Sequence, residues 1–432
     1  MAAGALACLA VATRALWIGS ARGRWVYPYI APLAIQPFLV WVAATAPAMA
    51  LLWARPAPPE KWPSTVLLVW VALATLVDGA LRWLAPFSFE QIFLSPGANS
   101  FYTATLQHQL GTVLADFDAA RAAMPLHAQS NLPGKLILVY ALEQVTMRPD
   151  VLAWAMIVLS NLGAVLMYRF VRELMAERVT AFYAAILYLF VPARLFFLPL
   201  MNTITPLFLL AFGIVILRWL NTGRAAYAIA AGGILYALVL FEPLPLVTGL
   251  LFAALVMRAV WMGRLKVRTV AMHVVLMLGV FTVVAVIVQR QFGFDLMSAF
   301  ASVRADAEAF NAQQRRPYDV RVKANLVEFL FGMGACQAVL VAGALWLALA
   351  SSSQRWRERL GQPVVAVTVS LLAVLAVLDL LGFNRGEVIA CGTSSCACCR
   401  SLPPGSARAA PRRCRWHSWS RSRCFRRRWG WP

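Results

Sequence analysis

The sequence predicts an all-α fold: a polytopic transmembrane helical bundle of about ten or eleven spans, with an outward-facing loop that carries interfacial helices. Three observations lead there. Of 432 residues, 61% are hydrophobic and 13% charged, against about 45–50% and about 25% in soluble domains. Apolar runs near the length that crosses a hydrocarbon core of roughly 30 Å recur along the chain. These runs also lack the short apolar–polar alternation of a membrane β-barrel.

Residues 1–18 are apolar but short, with Arg14 among them. A secretion signal places its charge first and a small-residue cleavage site after it, so this stretch reads as a first span or an interfacial helix. Residues 29–53 form a span, 55–64 a polar hinge, and about 65–84 a further span, completing an N-terminal region 1–84. The longest polar interruption follows, 85–148. Its apolar run 136–142 is stopped at once by Glu143 and Gln144. Too short to cross, that run is expected to lie at the membrane interface. The main bundle occupies 149–389, with spans near 151–168, 179–196, 199–219, 226–241, 245–262, 269–289, 326–350 and 363–382. Residues 290–325 are amphipathic in places and mixed in charge. Either a solvated surface segment or a lid over a site shared with the first loop fits that pattern.

The formal net charge of +21 would suggest nucleic acid in a soluble protein, but its location argues otherwise and no such partner is expected. Arg169, Arg172 and Arg178, then Arg218 and Arg224, then Arg258, Arg264, Lys266 and Arg268, then Arg355, Arg357 and Arg359 fill short loops on alternate sides, in register. Basic residues kept in the cytoplasm fix topology in this way. The 85–133 loop, residues 192–203, 241–245 and 290–325, and the chain from Gly382 then face outward. The expected location is a bacterial plasma membrane with the active face outside.

Residues 390–432 change composition abruptly. From Cys391 onward there are ten Arg, six Cys and four Trp, and no Asp, Glu, Lys, Val, Ile, Met, Tyr, Asn or Gln. A GC-rich gene read out of frame gives this mixture, so the frame is expected to shift near residue 390, replacing native sequence with a disordered tail. A basic, tryptophan-bearing anion-binding tail is the alternative. Cys8 and Cys336 are isolated, and CGTSSCACC has no zinc-ligand spacing, so neither a disulfide framework nor a metal site is expected.

The candidate chemistry lies mostly in the first loop. Glu90, in FSFEQ, stands a few residues beyond the end of a span. A carboxylate there suits a divalent cation or a general base acting on a hydroxyl; a solvated loop acid has the same sequence. Asp116 and Asp118, in LADFDAA, point about 200° apart on a regular helix and would not share a metal. They read mainly as the wet face of an interfacial helix. His108 and His127 are single imidazoles, more often structural than ligating. His127 opens HAQSNLPGK, where Asn131 precedes Pro133 and Gly134, and Lys135 begins the short apolar helix. Free N–H groups at a helix start, with an ammonium beside them, suit a phosphate; an ordinary helix start with an interfacial lysine looks the same. Arg194, Asn202 and Thr203 lie between closely spaced spans, and Glu242, in FEPLP, ends another. Ionisable groups at such depth are usually paired or functional. Arg194 is expected to bind a lipid phosphate or to snorkel to the headgroups. Asn384, Arg385 and Glu387 cluster just outside the last span.

The order of these elements resembles the GT-C superfamily of polyprenyl-phosphate-sugar-dependent glycosyltransferases, in its protein-mannosyltransferase and aminoarabinose-transferase branch. An outward acidic loop precedes HAQSNLPG, which stands where that branch has a His-Pro-Pro-Gly or Arg-Pro-Leu segment. NLGAVLMYRFVRELMAERVTAFYAAILYLFVPARLFF follows, with YRFVREL at the basic cytoplasmic end of a span. The likeness covers about residues 64–260. It implies a lipid-linked sugar donor whose phosphate lies near Arg194, Lys135 or Arg385. Glu90, the nearest acid in the first loop, would deprotonate an acceptor hydroxyl of a glycan, lipid or protein. Some members of such families place a divalent cation at the phosphate. Two other classes compete with this reading. A transporter or flippase would show broken helices, a polar path and an internal repeat; a non-catalytic paralogue would lack the acid pair of the first loop, as this chain does.

Overall fold

The computed structural model of the chain describes residues 65–83, 88–95, 99–313, 335–350 and 362–381, with 19–20, 25–26, 318, 322, 326 and 329. The expected spans at 1–18 and 29–53, the cluster of Asn384, Arg385 and Glu387, and the tail 390–432 lie outside these residues. The regular secondary structure of the described residues is helical apart from a two-residue antiparallel pairing of Gly19–Ser20 with Trp25–Val26. A long apolar segment favours helix because every backbone group is then bonded within its own segment.

After α1 (Thr65–Trp83), the polar stretch folds into α2 (Phe89–Leu94), α3 (Ser100–Thr105), α4 (Leu110–Ala115), α5 (Phe117–Ala122), α6 (Leu126–Gln129) and α7 (Gly134–Glu143). Then come α8 (Pro149–Met175), α9 (Arg178–Leu189), α10 (Pro192–Phe197), α11 (Thr205–Thr222) and α12 (Ala225–Phe241). The chain continues with α13 (Gly249–Trp261), α14 (Val267–Phe292), α15 (Leu296–Gln313), α16 (Ala335–Ala350) and α17 (Pro363–Leu381). Among the described residues five stretches are long and apolar enough to cross a membrane: Pro149–Met175, Arg178–Leu195, Met201–Thr222, Val267–Phe292 and Pro363–Leu380. Thr65–Ala80, Ala225–Phe241, Leu246–Trp261 and Gln337–Trp346 are shorter apolar helices. In α14, Val267, Met272, Val275 and Val283 are all more than half exposed. Water would leave such a face as an uncovered apolar patch; lipid would not.

Prolines set the helix ends that matter for the site. Within the expected span 179–196, which matches the candidate span Arg178–Leu195, the helix is interrupted after Leu189, because Pro192 disfavours helix at Val191, whose backbone is extended (φ −64, ψ 122). In the span expected from 199 the regular α-helix starts at Thr205, with Pro206 in its first turn and a 3-10 turn, Met201–Thr203, ahead of it. Pro243 likewise holds Glu242 extended (φ −160, ψ 111) and ends α12.

α8 packs on α1, α9 and α11; α12 packs on α11 and α14; α13 packs on α17. Followed up and down, the chain puts the turns 175–178, 222–225 and 261–267 at one end of the bundle and 149, 190–205 and 241–249 at the other. The short helices cap this second end, α2 against α8, α7 against α12 and α4 against α14. One apolar core runs through cap and bundle, joining Phe93, Phe101, Leu132 and Leu136 to Met156, Phe241 and Phe294. α15 is strapped to the cap. Arg121 pairs with Asp118 at 3.0 Å and with Asp306 of α15, and Ser298 Oγ donates to Asp118 at 3.2 Å. The 290–325 stretch is therefore, over 296–313, a helix fixed to the first loop.

Candidate functional site

Two polar clusters form where the cap meets the bundle. The first is built around Lys135. Pro133 precedes α7, and Gly134 lets that helix approach α12 so closely that a Cβ on Gly134 would lie 2.5 Å from Leu240 O. Lys135, 1% exposed, directs its ammonium inward. Nζ donates to Asn131 Oδ1 (2.9 Å), Asn202 Oδ1 (2.7 Å) and Glu242 Oε2 (2.7 Å). Those three acceptors use all three of its donors. The rings of Phe101 and Phe241 lie 5.6 and 5.9 Å from Nζ, adding favourable quadrupole contacts. Thr205 Oγ1 also donates to Glu242 (3.3 Å), and Asn131 Nδ2 donates to His127 O (2.8 Å). Four residues singled out in the sequence, Asn131, Lys135, Asn202 and Glu242, thus meet at one point.

Replacing Gly134 by alanine is expected to lower stability by about 1–3 kcal/mol, because a backbone carbonyl cannot step aside as a flexible side chain can. Alanine is the better helix former by about 1 kcal/mol, so the sign of the change is diagnostic. An unchanged or higher thermal midpoint in detergent micelles would show that α7 does not need this close approach.

The second cluster gathers carboxylates around Tyr102. Glu90 sits in the first turn of α2, which begins with a capping box: Gln91 N donates to Ser88 Oγ (3.1 Å) and Ser88 N to Gln91 Oε1 (2.8 Å). Phe89 packs edge-on against Trp154 at 5.1 Å and ties the helix to α8. Tyr102 donates to Met147 O (2.9 Å); burial raises its pKa, and the charges of Glu143 and Glu90 raise it further. Tyr140 donates to His108 O; burial and then Glu143 push its hydroxyl up to about 12. Glu143 is half-buried and accepts from Thr105 Oγ1 (2.6 Å). Burial raises its carboxyl, and the threonine offsets part of that rise. Glu90 and Glu143, far apart in sequence, therefore act on one phenol.

A carboxyl whose pKa is raised on folding favours the folded state below its ordinary value of 4.5. That contribution is lost as pH rises through the raised value. Glu143→Gln is therefore expected to flatten the decline of the thermal midpoint between 4.5 and that raised value, and to leave the slope outside this interval unchanged. A decline of equal slope in both proteins would remove Glu143 as its source.

A third group of polar side chains lies inside the bundle. Arg194 is 6% exposed. It donates to Asn161 Oδ1 and Leu189 O, lies 3.4 Å from Ser160 Oγ and pairs with Asp78 at 3.8 Å. Asn161 Nδ2 donates to Asp78 and Thr75, both at 2.9 Å, and Ser160 Oγ donates to Thr203 O at 3.2 Å. Arg194 thus neither snorkels nor faces a free surface: burial of Asp78 in α1 draws it inward. Among the described residues, Asp78 Oδ1, Arg194 Nε and both side-chain polar atoms of the buried Asn99 find no hydrogen-bond partner.

Asp116 and Asp118 hold the cap together. Asp116 ends α4 and caps α5 by accepting from Ala119 N (3.2 Å), so the backbone between the two acids is not one regular helix. Asp118 is engaged by Arg121 and Ser298, and although its slight burial raises its pKa, those hydrogen bonds bring it below the usual carboxylate value. His127 is half-buried in α6. Among the described residues no group of three His, Cys, Asp or Glu side chains is placed to hold a metal ion. The contributions of Asn161, Ser160, Thr105, Tyr102, Tyr140 and Glu143 went unread in the sequence. Asn161 alone left a signal, an amide in the middle of an apolar span. Comparisons with known protein families, with characterised proteins and with solved structures find no match to this chain.

Proposed function

We propose that the chain is an integral membrane glycosyltransferase. In this reading it moves a sugar from a polyprenyl-phosphate carrier to an acceptor hydroxyl at the outer face of a bacterial plasma membrane. The bundle crosses about ten or eleven times, and the cap 88–146 lies at the outer surface. The observation that carries the proposal is the convergence of 131–135, 202–205 and Glu242 at one point under the cap, with the charges of Glu90 and Glu143 both felt by Tyr102. Carboxylates gathered at the junction of an apolar bundle and a polar cap suit a donor anchored in lipid and an acceptor arriving from water.

Glu90 takes the proton from the acceptor hydroxyl as that oxygen attacks the anomeric carbon. The bond from that carbon to the phosphate oxygen breaks, and polyprenyl phosphate leaves with the electron pair, so the configuration inverts. Lys135 has no donor left for the phosphate and acts as a positioning residue, holding α7 against α12. Asn202 and Glu242, each partly exposed, line the approach. The order of elements supports this reading through its likeness to the GT-C enzymes.

One observation favours a transporter or flippase instead. The helix break at 190–204 adjoins a buried ion pair with unpartnered polar atoms, the kind of feature that marks a substrate path within a membrane. The two readings separate in one experiment. Vesicles carrying the full chain would be given radiolabelled polyprenyl-phosphate hexose and pentose pools. Label transferred to an acceptor, above vesicles without the chain, supports the transferase. Label moved across the bilayer but not transferred would replace it with the transporter.

A further inference from the structure

Most cations at the capped end of the bundle are paired with carboxylates, whereas several at the other end are not. At the capped end Arg121, Lys135, Arg148 and Arg194 each pair with a carboxylate. At the other end, residues 218–225 and 258–268 contain no Asp or Glu. Arg218 pairs with Glu173 of α8 at 2.9 Å, but among the described residues Arg224, Arg264, Lys266 and Arg268 form no ion pair. These two turns meet. Leu220, Asn221, Thr222, Gly223, Arg264 and Leu265 line an open cleft of about 370 Å³. α12 and α14 both begin here without an acid in the first turn, so their N-terminal N–H groups add to the positive potential. Apolar surface borders the cations: Met257 is 64% exposed, Trp261 51% and Val267 69%. Topology requires basic loops, but not that two of them meet at a cleft with exposed apolar residues on the flanking helices.

We infer that this cleft binds the headgroup phosphate of an anionic phospholipid. Arg264 faces the phosphate, Arg224, Lys266 and Arg268 supply further countercharge, and the acyl chains lie along Met257 and Trp261. Basic pockets between membrane helices hold acidic headgroups in this way. A soluble phosphate would meet the same cations but would leave the apolar margin unused.

The test uses the full chain in neutral detergent, with phosphatidylglycerol, phosphatidylcholine and glycerol 3-phosphate as probes. Lipid retention is read by native mass spectrometry and stabilisation by thermal midpoint. Phosphatidylglycerol is expected to be retained and to raise the midpoint, with the other two much weaker. Each cation removed should weaken binding about five-fold, so Arg264→Gln/Arg268→Gln should lose roughly twenty-five-fold. Arg290→Gln, an exposed arginine at the capped end, should match the parent. Lys266→Gln reads the same effect at five-fold if the double variant fails to fold. Equal retention of phosphatidylcholine, or unchanged binding in the variants, overturns the inference. A shift with glycerol 3-phosphate as large as with the lipid would assign the cleft to a soluble phosphate and overturn the lipid. The inference needs the membrane placement but not the transfer reaction, and sugar transfer by the same preparations separates the two failures.

Discussion

Lys135→Met is expected to destabilise the chain by about 3–5 kcal/mol, the range for removing one partner of a buried ion pair. The ammonium holds three acceptors from three parts of the chain, and Glu242, whose side chain is 17% exposed, has only Thr205 at 3.3 Å in its place. Methionine fills much of the same volume, so the loss measures the stranded carboxylate and amides more than a cavity. The double variant Lys135→Met/Glu242→Leu should recover much of the loss, because it removes the stranded charge along with its partner. Denaturant unfolding in micelles reads both. A single variant within about 1 kcal/mol of the parent, a normal surface-pair value, would mean that the cap is held by its apolar contacts alone.

The apolar elements were legible because the period and length of a run report its surroundings without help from the rest of the chain. Described helices occupy the runs from 65 to 84 and from 151 to 292, and the unforeseen helix breaks at 190–205 lie where Pro192, Pro199 and Pro206 crowd together. The site was legible only as separate residues. Asn202 and Glu242 stand 67 and 107 residues from Lys135, and nothing in a linear pattern joins them. Lys135 was expected to greet a phosphate, yet its donors are all taken within the fold. Arg194 was expected at the headgroups because a lone arginine at a span end usually snorkels; its partner Asp78 lies on a helix on the far side of the whole cap in sequence. Glu143 was noted only as the residue that stops an apolar run. Its place beside Tyr102 depends on how α7 folds back over α3, which is a tertiary fact.

Glu90→Gln is expected to lower sugar transfer by about 10²–10⁴-fold, the contribution of a positioned general base. Glutamine keeps the shape of the side chain. It leaves untouched the Ser88–Gln91 capping box and the Phe89–Trp154 contact that hold α2 in place. The variant should therefore fold and unfold like the parent, and lost transfer at equal protein level would report chemistry. Glu143→Gln is the necessary comparison, because the charges of both carboxylates act on Tyr102 and both side chains are partly exposed. Glu143 already accepts from Thr105, and a glutamine can keep that bond through its carbonyl oxygen, so its loss should cost less than ten-fold if it only tunes the site. The opposite pattern, with Glu90→Gln unaffected and Glu143→Gln inactive, would transfer the role of base to Glu143. Equal and complete loss in both would mean that the two act as a unit, one carboxylate taking the proton and the other holding the acceptor in line.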